Sequence, residues 1–430
     1  MLDVRWIAQN RELVKEGARR KGFEVDIDQL VDRYDRWRAL QQEIQAIAAE
    51  KNQGNRELRT LAAAERQALI ERMREMTARE KELRSENEVV EAEWRELLLL
   101  VPSPPAPGVP MGKDDTENVE IRRWGEVRRF DFEPRSHQEL GELLDIIDKE
   151  RAAKIAGSRT YFLKGDGALL EQAVLRLALD LLVYERGFTA MAPPVLVRDE
   201  AMVGTGYFPG GEDQAYRIPF DGLNLIGTSE VSLSSYYVDE ILSDEDLPVR
   251  FAGISTCFRR EAGAAGKDTA GLYRVHQFQK VEQVVVCRAS EEESLRHHEE
   301  ILANAEALMQ ALRLPYRVVN VCTGDLGRGQ VQKFDIEAWM PSRGAYSETH
   351  SASRFHDFQA RRLGLRYRDE DGKVRYCHTL NNTAIASPRI LIPILELYQN
   401  EDGSITIPEV LRPYMRGRER IVPPAGRGAG

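Results

Sequence analysis

The stretch Thr256–Glu282, TCFRREAGAAGKDTAGLYRVHQFQKVE, decides how this chain is read. Arg259 and Glu261 stand two apart, so a strand through them places both on one face. A loop with Gly263, Gly266 and Gly271 follows, small residues that let backbone bend closely around a ligand. The chain returns through Val275–Glu282, where Phe278, Lys280 and Glu282 alternate onto a single face. The pattern predicts an antiparallel hairpin presenting fixed arginine, carboxylate and aromatic groups. An arginine fork suits phosphate oxygens, a flat aromatic suits a purine, and a carboxylate suits an ammonium or hydroxyl group.

FRREAG and GLYRVHQFQKVE resemble motif 2 of the class II aminoacyl-tRNA synthetases, in the form carried by the seryl-tRNA synthetase family. The resemblance extends to both sides of the hairpin. Ala168–Arg186, Gly187 and then Phe188–Val197 read as amphipathic helix, glycine and strand, similar to motif 1, which in the family forms a dimer interface. The Gly-rich segment from Thr205 to Gln214 resembles the family closely. Thr228-Ser229-Glu230 ends an apolar strand and matches the Thr-x-Glu loop that binds serine. Glu337–Pro341 is similar to the family's Glu-x-Trp-x-Pro strand, and Glu348–Ser353 to the strand holding ATP and its magnesium. A carboxylate and a hydroxyl oxygen are a reasonable hard-cation pair beside a triphosphate. His350 suggests an acid–base group, but a structural histidine beside a metal site is the preferred reading.

Motif 3 is Thr379–Arg389, where most family members carry glycine at 382, 384 and 388 and serine at 383. Here Asn382, Thr383, Ala384 and Pro388 stand instead, the clearest departure from the pattern, while Asn381 and Arg389 are retained. Pro388 fits the first turn of a following helix, and Pro393 is expected to bend that helix.

The resemblance implies an ATP site of Arg259, Arg260, Glu261, Val275, Phe278, Glu348, Thr349, His350, Ser351 and Arg389. Within it Arg259 grips the α-phosphate and Glu261 faces the adenine side. Phe278 and Arg389 sandwich the base, and Arg389 also reaches the γ-phosphate. Glu348 and Ser351 hold Mg²⁺. Thr228, Ser229, Glu230, Glu282, Asn381 and Thr383 form the serine site. Arg259, Glu261 and Arg389 carry the catalytic assignment.

N-terminal to all this, residues 1–20 read as one short helix closed by Gly22. From Ile27, Trp37, Leu40, Ile44 and Ile47 follow steps of three and four. Leu69, Met73, Met76, Glu80, Leu83, Asn87, Val90, Trp94 and Leu97 do the same. That is the seam of a coiled coil. Gly54 and Asn55 weaken the helix and place the reversal near Gln53–Ala64, so the two halves fold back antiparallel. At ~1.5 Å per residue the helices reach on the order of 45 Å or more. From the seam alone a dimerisation rod is the plain reading; the resemblance implies the arm that grips the long variable arm of serine tRNA. Lys51, Arg56, Arg59 and Arg66 near the tip suit phosphates, with Glu50, Glu57 and Glu65 interspersed. Glu80 and Asn87 are polar seam positions of the kind that set register.

Val101–Pro110 cannot continue a helix and reads as a stiff linker. The expected organisation is a tRNA-binding domain at 1–101 (hairpin about 27–100), a linker at 102–115 and a catalytic domain at 116–421. The tail from Gly417 is read as losing order, wholly so over 422–430. The expected class is α+β: the helical arm, then an antiparallel sheet flanked by helices.

The chain's 430 residues suffice for two or three domains, and 42% apolar with 30% charged residues describes a soluble globular protein. A net charge of −10 argues against a general nucleic-acid binder without excluding an RNA partner on a local basic face. Cys257, Cys287, Cys322 and Cys377 lie far apart, as for reduced core residues of a cytoplasmic protein without disulfides or zinc. No apolar run reaches membrane-spanning length, and the N-terminus lacks a signal peptide's apolar centre.

The activity implied by the resemblance is ATP-dependent activation of L-serine and its transfer to serine tRNA, and to selenocysteine tRNA where present, by a homodimer. Two other readings differ in class: an enzyme that loads an amino acid onto a carrier protein, and a non-catalytic RNA-binding relative. The long arm speaks against the first, and retention of Arg259, Glu282 and Arg389 against the second.

Overall fold

The computed structural model describes residues 1–263, 266, 268 and 271–424. It divides into two compact units, Met1–Pro104 and Pro105–Gly430. No helix among the described residues is long and apolar enough to cross a membrane.

The first unit is helical. Residues 1–20 form two helices, α1 (Val4–Gln9) and α2 (Arg11–Arg20), where one was expected. Asp3 caps α1 by accepting from the backbone N–H groups of Arg5 and Trp6, and the chain breaks at Asn10. Two long helices follow, α3 (Ile27–Glu57) and α4 (Ala63–Leu100), antiparallel and joined by the short turn 58–62. Every seam position read from the heptad steps is buried or half-buried.

The base of the pair is its best-packed part. Tyr34, Trp37 and Trp94 bring their rings within 5.5–5.7 Å of one another, against Ile7, Val14, Leu30 and Leu98. Farther out, Leu40, Ile44, Leu83 and Val90 continue the seam, and ion pairs such as Arg36–Glu86 and Arg72–Glu50 bridge the two helices. Lys51 pairs with Glu80 at 3.0 Å, so that the polar seam position has a cross-helix partner.

Gly54 is not a breaker. It lies inside α3 and is buried, and a Cβ there would meet Met73 Sδ at 3.3 Å, so the glycine admits close approach of α4. The first residues of the expected linker also pack into this unit. Val101, Pro102 and Ser103 are buried, and the Lys21 ammonium donates to the Ser103 carbonyl at 3.1 Å.

The second unit is built on an eight-stranded sheet. In chain order its strands are β1 (Val119–Trp124), β2 (Thr189–Met191), β3 (Val249–Phe258), β4 (Gln277–Cys287), β5 (Tyr316–Asn320), β6 (Gln332–Met340), β7 (Ala345–Arg354) and β8 (His378–Ala386). The spatial order is β1-β5-β6-β7-β8-β4-β3-β2, antiparallel throughout except for the β2–β3 edge pair. One face of the sheet packs against the helices Asp166–Asp180 and Glu291–Ala311 in a single apolar core that includes Leu170, Val174, Val281, Val285, Ile301 and Leu380. Burial on both faces explains the apolar run Val284-Val285-Val286 in β4.

Several local expectations change. The helix read over 168–186 ends at Asp180 and loosens into a wider turn over Leu181–Glu185. Pro388 precedes the next helix, Leu391–Leu397, and Pro393 falls within its first turn, where no intrahelical N–H bond is lost. At the end of the chain, Arg420–Ile421 pairs with Ile405–Thr406 and Ile421 is buried, so ordered structure continues past Gly417. The rest of the expected tail, 425–430, lies outside the described residues.

Candidate active site

The hairpin read from Thr256–Glu282 is formed by β3 and β4, paired with Phe278 opposite Cys257 and Glu282 opposite Gly253. β3 stops at Phe258, so Arg259 and Glu261 are not set by strand alternation. The loop places them instead: Arg259 N–H donates to His276 O at 2.9 Å, and Glu261 adopts a left-handed φ of 52°. Both side chains nevertheless reach a cavity of about 220 Å³ on the sheet face opposite the core helices. Gly271 is held by packing as well as by its φ of 76°, since a Cβ there would meet His137 Nε2 at 2.4 Å. Ala264, Ala265, Lys267, Thr269 and Ala270 of this loop lie outside the described residues.

β4 contributes Phe278, Lys280 and Glu282 to the cavity, as their alternation requires, and β8 contributes Asn381 and Thr383. Thr228 and Glu230 enter from the bend after the short strand Leu223–Leu225, Glu230 opening the helix Glu230–Ser234. Val275, Glu348, Thr349, Ser351 and Arg389 complete the expected residues that line it.

Three expected residues do not. His350 is buried on the far side of β7, its ring bonded to Ala384 O at 3.0 Å and Thr349 Oγ1 at 2.8 Å. Burial lowers its pKa to about 4, so it is a neutral structural histidine. Ser229 is buried and turned toward β3, where a Cβ on Gly253 would come within 3.1 Å of its hydroxyl. Arg260 is anchored through its backbone N–H to Gln214 O at 3.0 Å, and its side chain does not line this cavity.

Three of the departures in motif 3 follow the same alternation, while Pro388 lies beyond the end of β8 and lines the cavity. Asn381 and Thr383 face the cavity; Asn382 and Ala384 face the core. Asn382 is fully buried and its amide donates to Ile301 O at 2.7 Å, beside Gln283, which donates to the same carbonyl at 3.0 Å.

The cavity has two chemical ends. At one, Arg259 lies 5.3 Å from the Phe278 ring centroid and Arg389 lies 4.5 Å from that of Tyr273. Arg389 also pairs with Glu348 at 3.3 Å. Burial works to raise the Glu348 pKa, but Arg389 and Lys333 outweigh it and hold the carboxylate ionised. At the other end, Glu230 and Glu282 are both buried. Glu282 is in ion-pair contact with Lys280; burial pushes its pKa up to about 7 against the pull of that lysine. Tyr207 donates its hydroxyl to Glu230 Oε2 at 2.9 Å, and the buried Asn381 amide lies beside the same carboxylate and faces the cavity.

Tyr207, Tyr273, Lys280, Gln330, Ser353 and the motif 3 residues Ala386, Ser387 and Pro388 line the cavity beyond the expected site residues. Arg274, which pairs with Glu261 at 3.3 Å and Asp268 at 3.1 Å, was also missed. Lys280 shares the parity of Phe278 and Glu282, so its placement was open to strand reading; Tyr273, Arg274 and Gln330 sit in loops without such a signal.

Comparison with known proteins gives this geometry its family. Residues 1–105 match the model "Seryl-tRNA synthetase N-terminal domain", and 218–398 match "tRNA synthetase class II core domain (G, H, P, S and T)". The chain is 49% identical over 424 residues to a serine–tRNA ligase of Deinococcus radiodurans, covering 99% of this chain and 100% of that one. The chain belongs to the seryl-tRNA synthetase family. A serine–tRNA ligase of Rubrobacter xylanophilus is 48% identical, with 98% of this chain and 99% of the relative covered. The crystal structure of seryl-tRNA synthetase from Pyrococcus horikoshii complexed with ATP superposes with a TM-score of 0.91 at 41% identity, over 99% of this chain and 100% of that one.

Proposed function

We propose that this cleft carries out the family's two-step reaction: L-serine and ATP give seryl-adenylate and pyrophosphate, and the seryl group then passes to the 3′-terminal ribose of serine tRNA. The observation that carries the reading is one cavity with two matched ends. Thr228, Glu230, Glu282, Asn381 and Thr383 stand at one, and Arg259, Phe278 and Arg389 at the other.

The first step needs no protein nucleophile, because serine's carboxylate attacks the α-phosphorus of ATP. The residues supply position and charge. Glu230 and Glu282 receive the ammonium, and Thr383 and Asn381 offer hydrogen bonds to serine's polar groups. A pocket built to satisfy a hydroxyl rejects alanine by ~10⁴ or more, since its polar groups would be left unpaired. Arg259 meets the α-phosphate, Phe278 and Arg389 flank the adenine, and Arg389 extends to the γ-phosphate.

The residues fit a magnesium ion accompanying ATP. Glu348 offers an ionised carboxylate and Ser351 a hydroxyl, and opposite Ser351 the buried Asp335 keeps Oδ1 without a hydrogen-bond partner. These are hard oxygen donors of the kind that share Mg²⁺ with phosphates. Glu348 and Ser351 would hold the ion, which would neutralise charge on the triphosphate.

The helical unit, as domain 1–101 ahead of a linker at 102–115, is read as the arm that holds the long variable arm of serine tRNA, and of selenocysteine tRNA where one exists. The exposed Arg56, Arg59 and Arg66 beside its turn offer phosphate contacts. The working state is read as a cytoplasmic homodimer. Charging of a long-variable-arm serine tRNA with labelled serine, ATP and magnesium tests the whole reading. Removing 45–82, which spares the Tyr34–Trp37–Trp94 cluster, is expected to abolish charging while serine-dependent pyrophosphate exchange survives. Charging that survives the deletion overturns the arm's role; absence of exchange in the full chain overturns the enzyme.

A further inference from the structure

The two carboxylates at the serine end have different companions. Glu282 sits beside a cation, Lys280. Glu230 is bonded by neutral donors on both oxygens: the Tyr207 hydroxyl on Oε2 at 2.9 Å and the Gln359 amide on Oε1 at 2.8 Å. Gln359 lies on the helix Phe358–Leu363, outside every motif read from the sequence and outside the lining of the cavity. It is fully buried.

Its amide is completely engaged. The nitrogen donates to Glu230 Oε1 and also to Thr205 O at 3.1 Å, and the carbonyl oxygen accepts from Thr379 Oγ1 at 2.6 Å. Glu230 and Thr205 present only acceptors on one side, and Thr379 presents a hydroxyl on the other, so only one orientation of the amide satisfies all three. Thr379 is the second residue of β8, which carries Asn381 and Thr383 into the cleft. Gln359 therefore ties the Thr-x-Glu bend to the strand bearing the rest of the serine site.

We infer that Gln359 is a positioning residue for substrate binding, holding the Glu230 carboxylate in the orientation that receives the amino acid's ammonium group. The inference rests on the reading of Glu230 given above. A neutral clamp suits that task. An arginine or lysine in the same place would cancel the charge that attracts the ligand, whereas an amide and a phenol fix the carboxylate and add no positive charge to that of the nearby Lys280. A carboxylate accepts about four hydrogen bonds, so two neutral donors leave sites free for the ammonium.

The test is serine-dependent pyrophosphate exchange on the full-length protein with Gln359→Met, Glu230→Gln and the two combined. Methionine keeps the volume and removes the donors. Loss of a hydrogen bond to a charged group predicts a rise in KM for serine of about ten- to a hundred-fold, with KM for ATP within about two-fold. The double variant should bind serine no worse than Glu230→Gln alone, because both changes act on one interaction. A purely structural role would raise both KM values together or give multiplicative effects, and either result overturns the inference, as does an unchanged KM for serine. If Glu230→Gln itself leaves KM for serine unchanged, the reading of Glu230 fails instead. Should Gln359→Met fail to give a cooperative melt, Thr379→Val removes only the hydroxyl that orients the amide. A several-fold rise in KM for serine then supports the inference, and no rise overturns it.

Discussion

Both units of this protein set basic side chains against glutamates, to different ends. In the helical unit Arg36–Glu86 bridges α3 and α4 with 45% and 44% of the side chains exposed. In the cleft Lys280–Glu282 makes the same kind of pair at 6% and 2%. Water screens the first, so it adds little beyond the apolar seam beneath it. The second has lost its water, and removing either partner leaves an uncompensated charge in a confined place. Exposed ion pairs between α3 and α4 can be exchanged with small loss of stability; the charges of the cleft are fixed by what they must bind.

The largest effect is expected at Arg259, which faces the cleft and donates from Nε to Gly227 O at 3.2 Å. Arg259→Ala removes the cation that meets developing phosphate charge and should cost on the order of 10³ in adenylate formation. Its melting temperature should stay close to that of the parent, and unchanged pyrophosphate exchange would count against the assignment. Glu282→Ala comes next: it removes an acceptor for serine's polar groups and strands Lys280, and serine activation should fall by about 10². Normal exchange in that variant would sink the serine-site reading.

A subtler break separates the two partners by pH. Burial holds the Glu282 pKa up at about 7, and Lys280 works against it. The carboxylate is the form that attracts an ammonium, so kcat/KM for serine should fall as pH drops through about 7 in the free enzyme. Lys280→Met removes the lowering influence, the pKa rises, and the acid limb should move up by about one pH unit. A limb that does not move would show that the pair is not coupled as drawn.

How much was legible in the sequence follows the same division. The arm was readable because its signal is local: a heptad repeats every two turns, and every seam position is buried or half-buried. Gly54 was misread because a glycine admitting a neighbouring helix and a glycine ending a helix look alike until the partner is known. In the catalytic unit, strand parity carried Phe278, Lys280 and Glu282 to one face, and the same parity, applied to Thr379–Ala386, would have sent Asn382 and Ala384 to the core. Glu261 lines the cleft, but a left-handed residue beyond the strand end places it there and strand alternation does not. Gln359 gave no local sign at all. It acts 129 residues from Glu230, and nothing in its own helix marks it as part of a binding site.

Asn382 tests whether the glycine-poor motif 3 alters chemistry or packing. Its amide donates to Ile301 O behind the sheet, away from the cleft. Asn382→Ala should lower stability by about 1 kcal/mol, the worth of one buried hydrogen bond, and leave KM for serine within about two-fold. Denaturant unfolding and pyrophosphate exchange on the same preparation would separate the two. A large change in serine affinity with unchanged stability would return this position to the active site.

The smallest effect closes the contrast on the arm side. Arg36→Ala removes both hydrogen bonds to Glu86, yet the seam residues Leu40, Leu83 and Val90 that join the helices remain. An exposed pair of this kind contributes ~0.5 kcal/mol at most, and less as salt rises. The melting temperature of Arg36→Ala should therefore lie within a few degrees of the parent at low salt and coincide with it at 1 M salt, with pyrophosphate exchange unaffected. A loss well above ~1 kcal/mol that persists at high salt would mean that the arm, like the cleft, depends on its ion pairs and not on its seam.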